Sequence, residues 1–257
     1  MIQVNPNTFI EGTTQCDEQK LAHITHLVKK DLTPTYKEFP QWVEFFDFLS
    51  SNQVFLTSDH YYRYLNTFGA LLQELGEIKN KIIVETGCAS PISLYLGRYN
   101  ECYSTESDLR INLDIESEFA DIVISLEVLE HIKDQPEKDI YDLELFHESG
   151  AKRYAQEIHR IIKKDGLLVL TTPNPCSYQA ISNTLEYKAP SVFRGHVREY
   201  TKHEILSLFS NMHLFTYTTQ FNFFMLGNKR NDWLKLFRQN HWDTSDRGDD
   251  HFLLFKK

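Results

Sequence analysis

From Lys81 onward short apolar runs alternate with helical stripes, and that rhythm leaves the chain few architectures. Ile82 to Val84, Ile122 to Leu126 and Leu167 to Leu170 are continuous rather than alternating, the pattern of strands covered on both faces. Between the last two, Tyr154, Ile158, Ile161 and Ile162 trace one helical face, which Gly166 is expected to close. Strands of this kind interleaved with helices predict a mostly parallel α/β sheet with helices on both sides. Further on, Thr201-Lys202-His203-Glu204 reads as a capping box opening a helix that carries Ile205, Leu208, Phe209 and Met212. A β-like stretch from Leu214 to Phe224, a short helix around Trp233 to Phe237 and a last strand from His251 to Phe255 complete the chain.

The segment before that rhythm is helical. Trp42, Phe45, Phe46 and Leu49 share one face, as do Tyr61, Leu65, Phe68, Leu72 and Leu75, with Gly76 as the stop. Residues 1–77 are therefore expected to form a helical extension or cap on a domain spanning 78–257. The aromatics of these stripes are assigned to the core rather than to a substrate box.

Composition narrows the function. With 36 acidic against 27 basic residues the net charge is −9, which disfavours nucleic acid as a partner. No apolar run has the length of a membrane span, and the four cysteines are scattered without a Cys-x-x-Cys spacing, so a soluble protein in a reducing, cytoplasmic setting is expected. His23 and His26 share a helix face, but no carboxylate or cysteine completes a ligand set, so no metal is expected.

The most informative local feature is Val84-Glu85-Thr86-Gly87-Cys88-Ala89-Ser90-Pro91. A buried strand ends in an acidic residue, a glycine makes the turn, and Ser90-Pro91 forms an N-cap followed by proline at the first helical position. In an open α/β sheet such a turn is the usual seat of a nucleotide-like cofactor. Only one glycine of a G-x-G-x-x-G pattern is present, and Glu85 would repel a pyrophosphate, so an ammonium or sulfonium ligand suits the turn better. An ordinary turn with a surface glutamate is the alternative. About twenty residues on, Cys102 to Asp108 reads as a second strand whose Glu106 and Asp108 point to one side, where a carboxylate can accept both hydroxyls of a ribose.

Together these residues resemble the class I S-adenosylmethionine-dependent methyltransferases over roughly Lys81 to Thr201. KIIVETGCASPISLYLG is similar to the first cofactor motif, FADIVISLEVLEHI to the fourth strand and the segment after it, EIHRIIKKDGLLVLTTPNP to a helix and the fifth strand, and GHVREYTKHEI to a segment frequent in small-molecule and sugar methyltransferases. The resemblance implies a Rossmann-like, mostly parallel seven-stranded sheet with an antiparallel last strand. It implies that Glu85 and Gly87, with Cys88 and Ala89 in the same turn, hold the methionine part of S-adenosylmethionine. Asp108 would take the ribose, Asp114 the adenine edge, and Leu126 with Glu127 the cofactor's flank. S-adenosylhomocysteine would be the product. Two departures stand out: Ala89 and Pro91 replace the second and third glycines, and only five residues separate Asp108 from Asp114, too few for a crossover helix, so the third-strand region is shortened.

For an oxygen nucleophile a general base is useful, and His131, after Glu130 beyond the fourth strand, is the leading one, although it could equally shape the pocket by bonding a loop carbonyl. His196, Arg198 and Tyr200 form a second polar cluster that could orient an acidic or polyhydroxyl acceptor, or simply brace a loop. Asn174 should face the same cleft, with Glu130 on the substrate side. The favoured reading is methyl transfer to a hydroxyl, or less readily an amine or carbon, of a small metabolite or glycan. A nicotinamide oxidoreductase and a non-catalytic binding protein that kept the fold are the alternatives.

Overall fold

A computed structural model describes residues 1–5, 18–51, 58–105, 107–111, 113–134, 149–190, 195–222 and 228–257. The buried runs become the centre of a seven-stranded sheet: β1 (Ile2–Gln3), β2 (Ile82–Thr86), β3 (Glu101–Thr105), β4 (Ala120–Leu126), β5 (Ile162–Pro173), β6 (His213–Gln220) and β7 (Asp250–Lys256). The spatial order is β1-β3-β2-β4-β5-β7-β6. β3, β2, β4 and β5 run parallel, β7 lies antiparallel between β5 and β6, and β1 is antiparallel to β3.

Alternate residues of each central strand feed two different cores, which is why the runs are unbroken in the sequence. Ile83, Ile122, Ile124, Val169, Phe252 and Leu254 belong to one face, and Val84, Val123, Leu168, Leu170, Leu253 and Phe255 to the other. The first face is covered by α1 (Glu18–Asp31), α2 (Thr33–Tyr36), α3 (Pro40–Ser51), α4 (Ser58–Leu75) and α5 (Pro91–Leu96). Trp42, Phe45, Tyr61, Tyr62, Leu65 and Phe68 are all buried here, so the aromatic stripes are core. Phe45 meets Phe68 edge-on at 4.7 Å, and Trp42 donates its indole N–H to the Leu65 carbonyl at 2.8 Å. Gly76, at φ +68°, ends α4 in the left-handed conformation that glycine adopts without strain.

The opposite face is covered by α6 (Ser149–Ile161) and α8 (Lys202–Leu208), the latter opened by the expected capping box of Thr201 and Glu204. α7 (Tyr178–Leu185) and α9 (Asn228–Gln239) build a small satellite cluster of Tyr178, Phe237 and Trp233. Three expectations need correction. α6 stops at Ile161 and β5 begins at once, so Gly166 lies inside the strand instead of closing the helix. β3 ends at Thr105, short of Asp108, because the chain turns there. β6 ends at Gln220; Phe221 and Asn222 already lie beyond the strand, and residues 223–224 of the expected stretch fall outside the described residues.

The shortened third-strand region has a structural replacement. No helix occurs among the described residues between β3 and β4; Leu113 and Ile115 insert into the second core in its stead. Two side chains of α6 pin that loop: Glu157 accepts the Leu113 N–H at 2.8 Å, while Arg160 donates to the carbonyls of Leu113 at 3.0 Å and Ile115 at 2.8 Å. The sheet edge beyond β3 is then taken by the N-terminus, with Ile2 opposite Ser104, Gln3 opposite Tyr103, and the Val4 N–H donated to the Cys102 carbonyl at 2.8 Å. Val4→Pro removes that donor from a buried edge, and a urea midpoint lower by the equivalent of about 1–3 kcal/mol is expected; an unchanged midpoint would show that the edge strand adds nothing to stability.

Candidate active site

The parallel strands all end on one rim, and the first βα turn forms its centre. Glu85 is buried near the end of β2, where its Oε2 accepts the Ser90 N–H at 2.7 Å. Ser90 caps α5 by accepting from the Ser93 N–H, and Pro91 takes the first helical position, as the sequence implied. Gly87 adopts φ +87° and donates its N–H to the Thr105 carbonyl at 2.9 Å, so the turn is stitched to the end of β3. Cys88 is exposed and Ala89 half-buried beside it. Glu85 is not a surface glutamate: its carboxylate holds the turn from inside, and burial pushes its pKa up to about 7 against the Ser90 and Ser93 hydrogen bonds.

At the neighbouring strand end Asp108 is exposed and clasped by Arg110, whose Nη2 donates to Oδ2 at 2.7 Å and whose backbone N–H donates to Oδ1 at 3.0 Å. The Arg110 hydrogen bonds hold the Asp108 carboxyl down at about 2. Arg110 also donates to the Asp134 carbonyl at 2.8 Å, fixing this turn to the segment before α6. Glu106 lies outside the described residues. Asp114 is exposed between the buried Leu113 and Ile115, so its carboxylate points away from the core while its neighbours anchor the loop.

The end of β4 carries the densest chemistry. Leu126 and Glu127 are half-buried; Glu127 turns the chain at φ +55°, donates its N–H to the Thr171 carbonyl at 3.0 Å, and ion-pairs through Oε2 with Arg63 at 3.2 Å. A single 3-10 turn, Leu129–His131, then places Glu130 fully inside and His131 at the surface. Glu130 Oε2 accepts the Thr172 hydroxyl at 2.9 Å, whereas Oε1 has no hydrogen-bond donor among the described residues and lies 3.9 Å from Nε2 of both His131 and His196. Desolvation and the nearby Glu127 carboxylate raise the Glu130 pKa well above the ordinary glutamate range. His131 Nδ1 meets the Gly195 carbonyl at 3.0 Å, and His196 Nδ1 meets Glu199 Oε1 at 2.7 Å.

Asn174 sits differently from expectation, while Arg198 and Tyr200 take the loop-bracing alternative. Asn174 is fully buried and does not face a cleft: its amide donates to the Asp246 and Gly248 carbonyls, both at 2.9 Å, and its Oδ1 accepts the Cys176 N–H. Tyr200 is buried in the second core, with its carbonyl bonded to His251 Nε2 at 3.1 Å. Arg198 pairs with Glu204 of the capping box and stacks its guanidinium over the Tyr200 ring at 5.1 Å. Arg198 and Tyr200 brace the loop that presents His196, and Asn174 braces the loop 246–248.

Sequence reasoning missed Arg63 and the Asp249-Asp250 pair. Asp250 opens β7 opposite Pro173 at the end of β5, so the antiparallel strand brings a carboxylate to the rim where parallel strands end. Asp250 Oδ2 accepts the Asn222 amide at 2.7 Å, which in turn accepts from Asn66 of α4 at 2.9 Å. Arg63 as the lone arginine of an apolar helix, and two adjacent aspartates opening the last apolar run, were the available signals. A cavity of about 660 Å³ between α1, α2, α4 and the end of β6 is lined by none of the candidate site residues selected from the sequence.

A family model described as a methyltransferase domain matches residues 78–214. The chain belongs to that family. As a methyltransferase it uses S-adenosylmethionine as methyl donor. No curated protein sequence matches it. Among solved structures the methyltransferase is similar to an S-adenosylmethionine-dependent methyltransferase from Mesorhizobium loti, at 13% identity and TM-score 0.46 over 73% of this chain and 96% of that one. It is also similar to one described as a putative enzyme of the same kind from Listeria monocytogenes, at 9% identity and TM-score 0.48 over 76% and 98%. A third is the N-methyltransferase NodS from Bradyrhizobium japonicum in complex with S-adenosylhomocysteine, at 12% identity and TM-score 0.43 over 76% and 87%.

The burial of Glu85 gives this methyltransferase a pH signature. A carboxyl whose folded pKa is raised to about 7 contributes stability below its unfolded value and loses it as pH rises toward neutrality. Glu85→Gln keeps an acceptor for Ser90 but cannot ionise. The variant should therefore gain on the parent between about pH 4.5 and 7, by up to about 3 kcal/mol, with a constant difference above that. Denaturant melts across that range check it, and a pH-independent difference would show that Glu85 titrates normally.

Proposed function

We propose that this methyltransferase transfers the methyl group of S-adenosylmethionine to a hydroxyl of a small metabolite or sugar, with an amine or carbon acceptor less favoured. The observation that carries the reading is the cluster of Glu130, His131 and His196 on the rim beside the first βα turn, a set that can orient a hydroxyl and receive its proton. The sulfonium is already electrophilic, so the protein's task is to hold acceptor oxygen, methyl carbon and sulfur in line at about 3 Å and exclude water. The new O–C bond forms as the C–S bond breaks, its electron pair returns to sulfur as the thioether of S-adenosylhomocysteine, and the hydroxyl proton passes to His131 or to solvent.

In this reading Gly87, Cys88 and Ala89 border the methionine part of the cofactor, and Glu85 acts by holding their turn in shape. Asp108, anionic at any physiological pH, accepts the ribose hydroxyls while Arg110 keeps it oriented. Asp114 serves the adenine edge, and Leu126 with Glu127 its flank. The helices before β2 act as a cap over one sheet face. No helix among the described residues is long and apolar enough to cross a membrane. Cys88, Cys102 and Cys176 are free thiols, which suits a cytoplasmic setting.

Calorimetric titration with S-adenosylhomocysteine, followed by a screen of sugar nucleotides and phenolic metabolites for its production from S-adenosylmethionine, tests the assignment. Asp108→Ala should weaken cofactor binding about 10- to 100-fold, the equivalent of roughly 1.5–3 kcal/mol for a charged hydrogen bond. Full affinity in that variant would move the ribose elsewhere. His131→Ala is expected to depress turnover and leave S-adenosylhomocysteine affinity intact, and normal turnover would remove its role at the acceptor.

A further inference from the structure

The cluster at the end of β4 has more order than a proton acceptor requires. His131 Nδ1 faces a carbonyl, which can only accept, and His196 Nδ1 faces the Glu199 carboxylate, so in each neutral ring Nδ1 carries the hydrogen and Nε2 carries the lone pair. Both Nε2 atoms are turned to Glu130 Oε1, at 3.9 Å each, and the candidate ligand atoms of the three residues all lie within 4.8 Å of one another. Three lone-pair atoms thus converge on one point. Glu130 is fully buried, its Oε2 is held by Thr172, and Oε1 has no hydrogen-bond donor among the described residues, so the atom aimed at that point is a buried acceptor left unsatisfied.

A cation supplies what is missing. Imidazoles whose second nitrogen is anchored by a carbonyl or carboxylate, next to a hydrogen-bonded carboxylate, are the arrangement of a metal site with its outer partners in place. Two nitrogens and one carboxylate oxygen favour a first-row divalent transition ion over magnesium or calcium, which prefer oxygen donors. Bonds of about 2.1 Å in a tetrahedral site put ligand atoms about 3.4 Å apart, so closing in from 3.9 Å takes a small side-chain rotation. His131 is exposed at the rim, which leaves room for further ligands from the open side.

We propose that Glu130, His131 and His196 bind one divalent transition-metal ion, whose open positions take the acceptor hydroxyl. The inference deepens the methyl-transfer reading and rests on it for the acceptor alone. It changes the role of His131 from proton acceptor to ligand, since an ion at its Nε2 would occupy the lone pair a base would use; the ion would acidify the bound hydroxyl, whose proton would leave to solvent as the O–C bond forms.

The test uses the full chain after chelator treatment. Cobalt(II) titration should give visible ligand-field absorption saturating at one ion per chain, and calorimetry with manganese(II) should give the same stoichiometry. Glu130→Gln, His131→Ala and His196→Ala, made separately so that one misfolded variant does not decide the matter, should each weaken the ion at least about 100-fold while the circular dichroism spectrum is retained. Failure of the wild type to bind either ion at millimolar concentration, or unaltered cobalt spectra in the folded variants, overturns the site. Calorimetry with S-adenosylhomocysteine on the same samples separates the two claims: cofactor binding without metal binding sinks the metal site alone, and metal binding without cofactor binding sinks the methyl-transfer reading.

Discussion

Arg63 reaches from the first turns of α4 to Glu127 at the end of β4, and its guanidinium is the counter-charge for a rim that also gathers Glu130 and Asp250. Buried carboxylates are expensive unless paired, and taking away one partner of such a pair costs more than the pair itself contributes. The ion pair therefore does two things. It makes the accumulation of acid at the strand ends tolerable, and it ties the helical segment before β2 to the rim, so that α4 cannot slide along the sheet without exposing or orphaning a charge. The Asn66–Asn222–Asp250 chain of hydrogen bonds repeats that tie on the far side of the rim.

Because the central strands are buried on both faces, every connection has to deliver apolar cover to one side or the other. The link between β3 and β4, residues 106–119, has no helix among its described residues, and it meets the demand with two side chains, Leu113 and Ile115, held by Glu157 and Arg160 of α6. The same economy leaves β3 with an open edge, and the N-terminus closes it. The first four residues thus stabilise the strand whose end presents Asp108, although they lie nearly a hundred positions away in the chain.

Much of this was legible beforehand. The unbroken runs marked β2, β4 and β5 because both faces of those strands are apolar, and Ser90-Pro91 and Thr201 to Glu204 marked helix starts because capping chemistry is local. Asp108 was misread as the end of a strand because Ser104 and Thr105 give no sign of where extended backbone stops. Asn174 was misread as a cleft residue because its position after β5 is right, yet the three partners of its amide, two of them from the loop 246–249, are invisible from its own segment. Arg63 escaped notice because its partner is sixty-four positions away.

The sequence by itself determined the layered sheet, the first turn with its acidic residue and helix cap, and the family, since each depends on residues within a turn or a strand of one another. Tertiary structure alone decided which carboxylates are buried, that the N-terminus completes the sheet, and that His196 comes to stand beside Glu130 and His131. Those outcomes rest on contacts between distant segments and on desolvation, and neither leaves a periodic trace in the chain: burial turns Glu85 and Glu130 into groups unlike the surface glutamates whose letter they share.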